Sequence, residues 1–141
     1  MTTHLDPSEN RLDILSEEQC RDLLASRDLG RVAFPLGNAT EIFPVNYSTD
    51  GVIVVFRTAP GTKLAQVMVS RVSFEVDDWD AAAKVGWSVV LKGVAQEVTA
   101  GIDPFSTALR AANVEPRAPG EHDHWIAIYP SEISGRRFHR G

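Results

Sequence analysis

The 141-residue chain holds one cysteine, Cys20. A single thiol excludes an internal disulfide and any cysteine-rich zinc site. Long apolar runs are missing as well: no stretch reaches the roughly eighteen consecutive apolar residues of a membrane-crossing helix. Met1 to Asn10 is polar and has no apolar segment of the secretory type, so no membrane is expected as a partner and a cytoplasmic location is. Positive charge is scarce, with 14 Lys and Arg against 19 Asp and Glu and a net charge of −5. A nucleic-acid partner would ask for a basic face, and the only basic cluster is Arg136, Arg137 and Arg140 near the end.

Several catalytic signatures are absent. No glycine-rich dinucleotide fingerprint occurs, and Gly61-Thr62-Lys63 lacks the first glycine of a Walker-type loop. No nucleophile elbow is present. Asp77, Asp78 and Asp80 lack the glycine and terminal glutamate of a calcium loop. His122-Asp123-His124 offers two imidazoles at most, so no metal site is expected.

What is present suffices for one packed domain, since 43% of the residues are hydrophobic. Residues 1–13 read as a flexible polar arm and residues 14–141 as a single domain. Ser16 with Gln19 forms a capping box that opens a helix, stapled by Leu15 against Cys20. Cys20, Leu23 and Leu24 share its apolar face, so Cys20 reads as a buried filler. Strands are expected at Arg31 to Leu36, Thr40 to Tyr47 and Val52 to Arg57, with turns at Gly37-Asn38-Ala39 and Asp50-Gly51. Pro44 cannot donate to a ladder and belongs at an edge or bulge. Further strands are expected at Arg71 to Asp77, Gly86 to Val98 (bent at Gly93) and His124 to Ser131, with Ser134 to Gly141 as a basic tail. Short helices are expected around Leu64 to Met68 and after Asp103-Pro104. The fold class is therefore mainly β with peripheral helices. Six antiparallel strands hide their edges most economically by closing into a small barrel.

The chemistry concentrates at a strand-to-helix junction, Arg57-Thr58-Ala59-Pro60-Gly61-Thr62-Lys63. It offers a guanidinium fork, an ammonium, hydroxyls and free backbone N–H groups at a helix start, which are the parts of a phosphate cradle.

Three segments in order, Glu41 to Tyr47, Phe56 to Lys63 and Gly86 to Val90, resemble the pyridoxamine 5′-phosphate oxidase-like, FMN-binding split-barrel family, nearest its short actinobacterial-type members. The likeness extends over about residues 14–138. It implies a six-stranded antiparallel split β-barrel that pairs as a homodimer with FMN in clefts between subunits. Arg57, Thr58 and Lys63 would then hold the FMN phosphate, with Thr62 assisting. Pro44, Val45, Asn46 and Tyr47 would run along the isoalloxazine. Trp87 and Ser88 would approach it, from the partner subunit in one arrangement, with Trp125 nearby. The expected function is an FMN-dependent oxidoreductase passing hydride to or from a small molecule. The alternatives are a deazaflavin-dependent reductase of the same fold, or a non-catalytic flavin or haem carrier using His122, His124 or His139 as axial ligand. No side chain stands out as a catalytic acid or base.

Overall fold

A computed structural model describes residues 10–58, 70–98 and 124–141. In chain order its elements are β1 (Arg11–Ile14), α1 (Glu17–Ala25), β2 (Leu29–Leu36), β3 (Ala39–Asp50), β4 (Ile53–Thr58), β5 (Ser70–Asp80), β6 (Val85–Val98) and β7 (His124–His139). The two helices expected at Leu64 to Met68 and after Pro104 lie outside the described residues.

Helix α1 starts as its sequence dictates. Gln19 N–H donates to Ser16 Oγ at 3.1 Å, and Ser16 N–H donates to Gln19 Oε1 at 2.8 Å, so the capping box is complete. Leu15 and Cys20 on either side of the cap are both buried.

The strands run in the hydrogen-bonded order β1-β7-β4-β3-β2-β5-β6, and β6 pairs back onto β7. Six strands, β2 to β7, thus close an antiparallel ring, the split barrel expected from the sequence. Closure gives each of the six strands a partner on both sides over at least part of its length. The two-residue connection between β3 and β4 sits one position later than expected: Asp50 pairs Ile53, so Gly51 and Val52 form the turn, with Gly51 at φ 62°. Among the described residues Pro44 lies in a stretch of β3 that pairs with β2 alone, because β4 takes up only Tyr47 to Asp50, which is the edge placement expected.

Two expectations need correction. Ser134 to His139 is not a tail but the second half of β7, paired along its length with Val85 to Val90 of β6. Arg11 to Asp13, read as part of a loose arm, belongs to β1 and pairs with Arg137 to His139. Both segments are polar, so side-chain patterning hides them. Their backbone groups are needed because the fourteen-residue β6 requires a partner over its whole length. The result is that β7 has β6 on one side throughout. Its other side is covered by β4 at residues 124–128 and by β1 at residues 136–139. The ladder between β6 and β7 slips at Lys92/Gly93, which is the bend expected at Gly93.

The main core fills the ring. Val54, Phe56, Phe74, Leu91, Ile126 and Ile128 point inward, and Cys20 and Leu24 of α1 join the same cluster. A smaller cluster on the opposite face of β4, β6 and β7 gathers Val55, Val98, Trp125 and Ala127. β4 therefore buries apolar residues on both faces, as its unbroken apolar run Val52 to Phe56 suggested.

Candidate functional site

Strand parity decides which expected site residues can share a surface. In β3, Val45 and Tyr47 turn inward, 6% and 4% exposed, while Pro44 and Asn46 turn outward. In β4, Thr58 is buried and Arg57 lies on the outer face with Val55. Arg57 pairs with Trp125 of β7, and its guanidinium carbon stands 5.4 Å from the centre of the Trp125 ring. The ladder between β3 and β4 ends at Tyr47 opposite Phe56, the neighbours in sequence of Asn46 and Arg57. Pro44, Asn46, Arg57 and Trp125 thus turn to the outside of the barrel, and β4 ends at Thr58, before Thr62 and Lys63 in the chain. Those two residues lie outside the described residues.

Trp125 gives the Arg57 guanidinium a flat partner, which restricts its orientation at the strand end. A guanidinium is a planar fork of the kind that pairs with phosphate. The residues present therefore fit an anionic, phosphate-bearing ligand at this corner.

Tyr47 has a structural task. Its hydroxyl donates to the Leu24 carbonyl oxygen at 2.5 Å and ties the end of α1 to the barrel. Burial, and then the nearby Asp28 charge, push its phenol up to about 12. Its ring also meets Phe74 edge-on at 4.9 Å between centroids.

Trp87 and Ser88 lie elsewhere in the same chain. Ser88 pairs with Arg136 and Trp87 with Arg137, eleven and twelve residues along β7 from Trp125. At the usual strand rise that is about 35 Å of strand. Trp87 is 8% exposed in the main core, and the Arg27 guanidinium covers its ring at 5.5 Å. Arg27 in turn donates to Asp78 at 2.7 Å, which holds the Asp78 carboxyl below its usual range.

His139, one of the expected alternatives for an axial ligand, is engaged. Its Nε2 lies 2.6 Å from Arg11 Nη2 and 3.4 Å from Asp13 Oδ2. His122 lies outside the described residues, and of His124 only the backbone pairing with Thr58 is described. Cys20 is fully buried; burial first, then the charge of Glu17, pushes its thiol up, as suits an inert filler. Asp77 and Asp78 sit in β5 facing Arg31 and Arg27, and Asp80 accepts from the N–H groups of Ala82 and Ala83.

Sequence reasoning missed the contact between Arg57 and Trp125. Its only cue was an arginine and a tryptophan each at the end of an apolar strand, far apart in the chain.

Comparison with known proteins meets this geometry. The model of the pyridoxamine 5′-phosphate oxidase family matches residues 16–137. The protein Rv0080 of Mycobacterium tuberculosis is 33% identical over 129 residues, covering 87% of this chain and 83% of that one. A solved FAD-binding protein from Mycobacterium smegmatis is 40% identical, with a TM-score of 0.79, over 92% of this chain and all of that one. An FAD-binding protein from Mesorhizobium loti superposes with a TM-score of 0.72 over 89% of this chain and 97% of that one; at 22% identity it speaks for the fold alone. A closed six-stranded barrel, matched along most of its length by the family model, leaves one assignment: this chain belongs to the pyridoxamine 5′-phosphate oxidase family.

Proposed function

We propose that the chain is a flavin-binding oxidoreductase, with FMN as the cofactor and a homodimer as the working unit. The observation that carries the reading is the Arg57 guanidinium over the Trp125 ring near the end of β4, the strand that leads in sequence to Gly61-Thr62-Lys63. In this reading Arg57 binds the phosphate as a fork, Lys63 as a point charge, and Thr58 and Thr62 assist. Pro44 to Tyr47 supply the strand along which the ring lies, their exposed members Pro44 and Asn46 facing it. Trp87 and Ser88 lie too far from Arg57 in one chain to reach the same flavin. A contact by them would come from a second copy.

Phosphate binding remote from the ring orients the ring without altering its chemistry. A bound flavin supplies the hydride acceptor and donor. This chain's residues bind it, orient it and leave one face open to a small-molecule substrate.

FAD is the second reading, favoured by the FAD-binding relative from Mycobacterium smegmatis. Both flavins carry the phosphate on the ribityl chain, so the same cradle serves either. A deazaflavin carries a phosphate at the corresponding place and is separated by the same test. The purified protein is denatured and the released chromophore identified by chromatography and absorbance. Released FMN supports the first reading, released FAD the second, and a colourless protein that binds reduced deazaflavin the third alternative. Arg57→Ala with Lys63→Ala is expected to weaken flavin binding in a chain that still folds; unchanged affinity removes the assigned cradle. Rapid-mixing reduction by NADH or NADPH then separates enzyme from carrier.

A further inference from the structure

The outside of the barrel holds a second cationic surface, on β2, β5 and β6. The register places Ala33, Ser73 and Lys92 in one row across the three strands. Two small side chains beside a long one leave a hollow of about 320 Å³, floored by Ala33 and Ser73 and ringed by Thr40, Arg71, Lys92 and Ser131. Gly93 at its border cannot become larger, because a Cβ there would lie 2.1 Å from the Tyr129 carbonyl oxygen.

Among the described residues the charges in the hollow are of one sign. Arg71 sits two positions before Ser73 on the same face, and Ser73 pairs directly with Lys92. Arg71 and Lys92 are therefore diagonal neighbours across two strands, at a typical separation of about 7–8 Å. Arg71 is exposed and makes no hydrogen bond or ion pair among the described residues. Among the described residues the ion pair of Lys92 is with Glu132, at 3.8 Å and with both side chains more than 60% exposed. Glu75, the next carboxylate along β5, is held by Arg31 at 3.1 Å. Among the described residues no carboxylate lines the hollow itself. Two cations held side by side repel each other unless an anion lies between them, and a chain of net charge −5 has acidic side chains to spare elsewhere. Hydroxyls surround the cations: Ser131 Oγ donates to the Lys92 carbonyl at 3.1 Å and keeps its lone pairs, while Thr40 and Ser73 offer donors.

We propose that this hollow binds the phosphate group of a small metabolite. Arg71 supplies the planar fork, Lys92 the point charge, and Ser73 and Thr40 the neutral donors. A volume of about 320 Å³ admits a phosphomonoester of sugar size, at the lower end of small-molecule sites. The site stands apart from the flavin reading and does not rest on it.

The test is calorimetric titration of the full-length protein with inorganic pyrophosphate at low ionic strength. Three proteins are compared: the native chain, Arg71→Gln with Lys92→Gln, and Arg57→Ala with Lys63→Ala. The expected result is a saturable binding event that the Arg71/Lys92 pair weakens about tenfold or more and that persists in the Arg57/Lys63 pair, where the flavin cradle is removed. Arg71→Lys, which keeps the charge and loses the fork, is expected to fall between, and thermal melts confirm that each variant is folded. Absence of saturable binding by the native chain overturns the proposal. So does equal binding by the Arg71/Lys92 variant, or loss confined to the Arg57/Lys63 variant. Flavin affinity measured on the same proteins separates the two sites: failure of the flavin cradle appears only in the Arg57/Lys63 pair.

Discussion

The guanidinium of Arg57 and the indole of Trp125 face each other at 5.4 Å across the ladder between β4 and β7. The pair makes the orientation of one side chain depend on the flat surface of another. Trp125→Leu keeps an apolar residue in the small cluster with Val55 and Ala127 but removes that surface. It is expected to weaken flavin binding about three- to tenfold, the worth of one cation–π contact. Fluorescence titration with FMN and FAD checks this; undiminished affinity would show that Arg57 is aimed by something else.

Tyr47→Phe deletes the hydroxyl that reaches the Leu24 carbonyl and leaves a buried acceptor without its donor. A loss of about 1–3 kcal/mol is expected in urea unfolding. In the native protein, absorbance titration at alkaline pH should find the Tyr47 phenol un-ionised until about pH 12.

This tyrosine also marks the boundary of what the sequence discloses. The strand Thr40 to Tyr47 was legible from its turn residues and its β-rich composition, and the closed ring from the number of antiparallel strands and the family likeness. The task of Tyr47 was not, because a hydroxyl bound to a helix carbonyl 23 residues earlier leaves no local pattern. The second half of β7 was hidden for a related reason. Arg136, Arg137 and His139 read as a solvated tail, and only the backbone demand of β6 makes them a strand. At the candidate site, composition pointed to Arg57 and its loop. Strand parity, which depends on register, was needed to separate outward Pro44 and Asn46 from inward Val45 and Tyr47.

Gly135 lies beneath the start of α1. A Cβ there would stand 2.7 Å from Cys20 Sγ, 3.1 Å from the Ser88 carbonyl oxygen and 3.2 Å from Leu15 Cδ1. Gly135→Ala is expected to cost about 1–3 kcal/mol through overpacking. Cys20→Ala removes the nearest of these atoms, so in the double variant the two losses should be less than additive. Strict additivity in denaturant midpoints would show that the helix simply shifts away.

Glu75 shares a face of β5 with Asp77, and both turn to Arg31. Burial, then the hydrogen bond and charge of Asp77, raise its carboxyl to about 7 against the opposing pull of Arg31. A raised folded-state value means that the folded chain binds the proton more tightly than the unfolded one. The associated stability is present below the usual carboxylate range, near 4.5, and is lost as pH rises through about 7. Glu75→Gln should flatten the decline in melting temperature between pH 5 and pH 8. An unchanged slope would assign that decline to other groups.

β7 completes the ring, and it follows every other strand in the chain. During synthesis, β2 to β6 therefore leave the ribosome with both ends of their sheet open. Val54 and Phe56 on β4 and Leu91 and Ala95 on β6 wait for Ile126 and Ile128 to cover them. A nascent barrel of this order is exposed to edge-to-edge misassociation until its last segment emerges. Its contacts join residues far apart in sequence, Arg11 with His139 among them, which places it with slow-folding topologies. The strand whose second half its side chains conceal is thus the one on which a productive outcome of translation depends.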